Sequence, residues 1–243
     1  MRLLHAELLK VWTAPRTTAA LVLALLLIAA LGSAGVSDGA ANGFVEDPAG
    51  DVVDVAGTAS IFALLLGILV VTWDYRHGTI TPTVLVAPRR ERVVAAKLSV
   101  AATLGAALAL VALGIAILVA QLWIGDRLRF EDEHWSQMAR VVAASMLWGV
   151  LGFGLGATLQ SQVGALVTAL VWFLVAELIL IGLASLVADV GDYLPGEALR
   201  HFAGSGEDPG ERFSRAAAGL IAAGYAVAAA AAGAAAMVRR DIG

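Results

Sequence analysis

The sequence predicts an all-α, polytopic membrane protein with six transmembrane helices. The 243-residue chain is 60% hydrophobic and only 15% charged, with mean hydropathy +0.84. Ordinary soluble domains are roughly 45–50% apolar and about 25% charged, and could not hide so much apolar surface. Six runs are each apolar over the roughly 20 residues that a helix needs to cross the hydrocarbon core. They do not alternate as outer-membrane barrel strands would, and a chain this apolar and charge-poor is not disordered. The absence of cysteine removes disulfides, thiolate metal sites and cysteine nucleophiles.

Residues 2–14 come before the first run. On a helix Leu4, Leu8, Val11 and Trp12 share one face, while His5, Glu7 and Lys10 lie largely elsewhere. That is the profile of an elbow helix lying in the membrane interface with its Trp at headgroup level. Pro15 breaks it before the first span. The six spans are then Thr17 to Val36, Val55 to Trp73, Leu98 to Ile124, Val141 to Leu159, Val163 to Val187 and Ala216 to Val238. The basic start, with Gly32, Ser33, Ala34 and Gly35 closing the first run, also fits a signal peptide. The length of the run favours an uncleaved span.

Basic residues set the orientation, because cytoplasmic loops retain Lys and Arg. Ten of the 16 fall on the side of the termini: Arg2, Lys10, Arg16, Arg76, Arg89, Arg90, Arg92, Lys97, Arg239 and Arg240. Asp38, Glu46, Asp47, Asp51 and Asp54 crowd the first loop of the opposite side. The expected arrangement is a multi-pass protein of the cell membrane with both termini cytoplasmic.

The inner loop 74–97, DYRHGTITPTVLVAPRRERVVAAK, is polar at its ends with an apolar centre at Ile80, Val84, Leu85 and Val86. Gly78, Pro82 and Pro88 punctuate it, so it accommodates a short cytoplasmic helix between turns. Positive charge alone suffices to stop translocation. The apolar centre goes beyond that and asks for a partner groove. In the fourth span Gly152 and Gly156 form one small-xxx-small pair, and Ser145 with Gly149 forms another. Such faces let helix backbones approach closely. The outer loop 188–215 reads first as a solvated connector, with DVGDYLPGEALRHFAG able to form one or two short surface helices.

Glu177 is the one ionisable side chain deep within a predicted span, and no Lys, Arg or His of a span is placed to pair with it. A charge at the bilayer centre costs about 3 kcal/mol on insertion scales, which marks it as a candidate site. It serves either substrate or protons, or else as a neutral strut between helices. Catalytic motifs fail in turn. Lys10 and Lys97 are the only lysines and neither follows a phosphate-loop glycine pattern. His5, His77, His134 and His201 are scattered, and Glu131, Asp132, Glu133 and His134 read as a solvated acidic loop rather than a metal site. No metal, cofactor or nucleic acid is expected on this chain, and it is not expected to be an enzyme.

These parts together resemble the ABC type-2 transporter permeases. The inner loop carries the resemblance. Many bacterial members show Glu-(Tyr/Phe)-Arg-x-Gly-Thr at the end of span two, then Pro-x-x-Arg and a Lys opening span three. Here these read Asp74, Tyr75, Arg76, His77, Gly78 and Thr79, then Pro88, Arg89, Arg90, Glu91 and Arg92, then Lys97. Glu7 and Lys10 match the family's Glu-x-x-Lys elbow, and Arg239, Arg240 and Asp241 its basic end. Asp74 departs from the more frequent Glu but is still able to pair with Arg76 or Arg89.

The resemblance implies an exporter permease for lipid, antibiotic or peptide cargo. A separate ATPase subunit, which binds the ATP and Mg, would dock on the inner loop. A second permease chain, identical or related, would complete the path. Two other readings remain at this point: a membrane scaffold or regulatory subunit, and a proton-coupled carrier using Glu177.

Overall fold

The computed structural model describes residues 15–76, 90–187, 191–204 and 214–239. Among these residues the chain is helical throughout, with no strand, and six helical segments are long and apolar enough to span a membrane. They run alternately between two ends of one bundle. The near end is where the first helix starts, and the far end holds residues 42–47, 125–131 and 191–204.

The first helix, α1 (Pro15–Ala41), packs on the bundle through Leu25, Ala29 and Ser33. Ser33 Oγ donates to the Ala116 carbonyl at 2.6 Å, so a polar group buried in an apolar helix finds its acceptor across the interface. The next span begins at Pro48, seven residues before the apolar run does. Asp47 accepts the Gly50 N–H at 3.1 Å and Pro48 occupies the first turn, where its missing N–H costs nothing. Asp51 and Asp54, read from sequence as loop residues, therefore sit in helix α2 (Pro48–Gly57). A break at Thr58 separates it from α3 (Ala59–Arg76).

Helix α4 (Arg90–Ile124) starts eight residues before the predicted span, and α5 (Asp132–Leu159) starts nine before. The inner loop is accordingly shorter than 74–97. Asp74, Tyr75 and Arg76 end α3, residues 90–97 open α4, and only 77–89 connect them, outside the described residues. The early start of α5 has a local cause. Glu131 caps it, with its side chain on the His134 N–H and its own N–H on the His134 ring, so the acidic loop of the sequence reading is a helix N-terminus.

Gln160, with φ 53°, turns the chain, and the Ser161 side chain caps α6 (Gln162–Val171) through the Gly164 N–H. A π-helical turn at Trp172–Ala176 leads into α7 (Glu177–Val187). Within the outer connection, residues 191–204 are folded rather than merely solvated. A 3-10 turn at Gly191–Tyr193 and α8 (Pro195–Ala203) return toward the bundle, burying Gly196, Ala198 and Leu199. The last helix is α9 (Arg215–Arg239).

Helix α5 is central, packing on α3, α4 and α9 along its length and on α2 and α8 at the far end. Its glycines make this possible. A Cβ on Gly149 would come within 2.5 Å of the Ala101 carbonyl oxygen of α4. One on Gly156 would lie 2.6 Å from Val71 Cγ1 of α3, and one on Gly152 would collide with the Leu64 carbonyl. Gly67 on α3 and Gly105 on α4 meet the α5 backbone in the same way. Helix α5 thus touches its neighbours backbone to backbone, where dispersion and weak Cα–H···O contacts replace side-chain interdigitation.

Candidate functional site

Two polar constructions lie inside the apolar bundle. The first is at the near end. Asp74 and Lys97 are each 1% exposed, with Lys97 Nζ 2.6 Å from Asp74 Oδ2 and 3.1 Å from the Val70 carbonyl. The extension of α4 toward Arg90 brings Lys97 level with the foot of α3. Arg76, which the sequence reading offered to Asp74, lies two residues on and faces another way, since i and i+2 do not share a helix face. Its guanidinium instead donates to Gln162 Oε1 at 3.2 Å, reaching the start of α6. Tyr75 is half-buried beside Val71, Val94 and Phe153. His77, Gly78, Thr79, Pro88 and Arg89 of the loop, Glu7 and Lys10 of the elbow, and Arg240 and Asp241 of the tail lie outside the described residues.

The second construction is in the far half. Glu177 is 3% exposed, and its Oε1 accepts the Gly196 N–H at 2.6 Å and the Glu197 N–H at 3.3 Å. The partner that the sequence did not supply as a cation is therefore the N-terminus of α8, whose free N–H groups and dipole suit a carboxylate. Glu177 is ten residues from the end of α7, roughly 15 Å at 1.5 Å per residue. The start of α8 thus reaches well down into the bundle. The glycine lets the carboxylate approach this closely, because a Cβ at position 196 would push the Glu177 carboxylate aside.

Beside Glu177 is a cavity of about 430 Å³ among α2, α3, α5, α6, α7 and α8. Its wall is mostly apolar, with Trp148 and Phe173 forming an aromatic pair at 4.5 Å between ring centroids. Both irregularities of the spans border it: Thr58 at the α2–α3 break, and Phe173 and Leu174 in the π-turn. In the π-turn the Glu177 N–H reaches back to the Trp172 carbonyl, one residue further than in an α-helix. The added residue re-phases the side chains that follow, and such turns concentrate at functional sites. Leu174 and Leu178, 60% and 68% exposed, border the cavity on the bundle surface. The cavity therefore opens sideways, onto the face that lipid would cover.

At the far end, charges tie the helices together. The Glu131 N–H donates to His134 Nδ1 at 2.9 Å, so the ring carries its proton on Nε2, which faces both Asp47 oxygens at 3.2 Å. Gln137 Nε2 donates to Asp54 at 2.7 Å, while Glu133 pairs with Arg140 and with Arg215 of α9. Burial opposes ionisation of Asp47. The Gly50 N–H and His134 outweigh it and hold the carboxyl below its ordinary value of 3.8. No group of three metal-ligating side chains occurs among the described residues.

The sequence singled out Asp74, Lys97 and Glu177 but not the contacts they make. Lys97 was visible as the residue opening a span, while the pairing needed the helical extension of α4. Nothing local connects Trp148 or Phe173 to Glu177, and the run WFLVA contains no Gly or Pro to announce a π-turn. No family model matches the chain, and none of the curated proteins is significantly similar to it.

Proposed function

We propose that the chain is the membrane-spanning permease subunit of an ATP-driven ABC exporter for hydrophobic or amphipathic molecules. In this reading it lies in a bacterial cell membrane with both termini cytoplasmic. A separate ATPase subunit docks on the 77–89 loop and supplies ATP hydrolysis with Mg. A second permease chain completes the path.

The observation that carries the reading is the buried Asp74–Lys97 pair at the foot of α3 and α4. It ties together the two helix ends from which the motif-bearing loop emerges. A loop that only stops translocation has no use for a costly buried ion pair at its base. A loop that must pass a partner's motion into two spans needs its ends held firmly. The lateral cavity beside Glu177 supports an amphipathic cargo on the same grounds.

Co-purification with a co-expressed ABC ATPase subunit, such as one encoded beside the chain, tests the proposal. Arg76→Ala and Gly78→Val are expected to lower ATPase recovery and permease-stimulated hydrolysis at least about tenfold, the effect of losing a charge-assisted contact and the motif's glycine. Docking and stimulation unchanged in both variants would remove the reading and leave a scaffold.

A further inference from the structure

We propose that the cavity beside Glu177 binds amphipathic amines, the ammonium group donating to Glu177 Oε2 and the apolar body lying against Trp148 and Phe173. Both N–H groups of α8 go to Oε1. Among the described residues no donor reaches Oε2, although the side chain is almost wholly buried and lines the cavity. A carboxylate oxygen without a donor in an apolar site is costly. The chemistry that satisfies it best is a charged N–H, whose hydrogen bond to a carboxylate is roughly twice as strong as a neutral one.

The remaining wall fits the rest of such a molecule. Trp148 and Phe173 offer ring faces, which attract cations as well as apolar groups. Asp54 and Arg200, the other charged groups on the wall, already hold Gln137 and Glu197. The volume of about 430 Å³ is in the range of pockets that take small organic molecules, roughly 300–1,000 Å³. The opening between Leu174 and Leu178 lets an apolar tail reach the cavity from the bilayer. As a class of cargo, amines rest on the exporter reading; as ligands of this cavity they do not.

Binding of dansylcadaverine, a fluorescent primary amine, to the full-length chain in detergent tests the inference with no ATPase or nucleotide present. Its N-acetylated derivative has nearly the same body and no charge. The amine is expected to bind at least about tenfold more tightly than the derivative, the worth of one charge-assisted hydrogen bond. Glu177→Gln is expected to abolish that preference while leaving the derivative's binding in place, which also reports that the variant is folded. Phe173→Ala is expected to weaken both probes. Equal binding of the two probes to the native chain, or a preference that survives Glu177→Gln, overturns the proposal, and so does binding of neither. A permease that fails to stimulate an ATPase leaves this measurement untouched, so the two readings fail separately.

Discussion

At the scale of single residues, several of the few charges are paired, and the Asp74–Lys97 pair, each side chain 1% exposed, is the most demanding. Removing one partner of a buried pair leaves an uncompensated charge and typically costs about 3–5 kcal/mol, while replacing both with apolar residues is often neutral. Asp74→Leu and Lys97→Met are each expected to lower the thermal unfolding midpoint strongly, and the double variant to recover most of the loss. Additive losses in that double-mutant cycle would contradict the pairing. Asp47 gives a pH signature. Its carboxyl is held below 3.8 in the folded chain, so its contribution is present above that value and fades as pH falls through the folded pKa. Because Asp47 is well exposed, that contribution stays under about 1 kcal/mol. Asp47→Asn is expected to flatten the fall in the unfolding midpoint between about pH 5 and pH 3, relative to the native chain.

At the scale of elements, helix α5 depends on what its glycines lack. Gly152→Val would drive a side chain into the Leu64 backbone and should lower thermal stability by several kcal/mol through overpacking against a neighbour that cannot yield. Gly114, on α4, faces open space, so Gly114→Ala is expected to be neutral or to stabilise by up to about 1 kcal/mol through helix propensity. Equal losses for the two would show that glycine content, rather than contact, sets the packing. The spacing of Gly149, Gly152 and Gly156 was legible in the sequence, since small residues four apart share a helix face. The element ends were not. Apolar runs mark where lipid lies, whereas helices begin at their caps, and the caps at Asp47 and Glu131 stand eight and ten residues upstream of the runs at Val55 and Val141. The π-turn was illegible for a different reason: its residues carry no breaker, and Glu177, which follows it, makes its contact with a segment 19 residues away.

At the scale of the whole molecule, six spans in alternating directions were readable from composition and run length, because the bilayer requires them. The cavity was not readable, since it arises where α2, α3, α5, α6, α7 and α8 meet and no one of those segments encodes it. Orientation is the feature most directly tested. The chain contains no cysteine, so single cysteines can be introduced and labelled without preparing a cysteine-free background. A cysteine at Asn42 is expected to react with a membrane-impermeant maleimide in intact cells, and one at Thr83 only after permeabilisation. The reverse pattern would turn the molecule over and place the 77–89 loop out of reach of any cytoplasmic ATPase.

The contact between Glu177 and α8 also sets a timetable for biosynthesis. Its donors are 19 and 20 residues downstream. At synthesis rates of roughly 5–20 residues per second, the carboxyl group waits about one to four seconds after translation before those amides exist. The fifth span is therefore synthesised in full before its acid has a partner. Its stay in the lipid is provisional until α8 folds back and completes it.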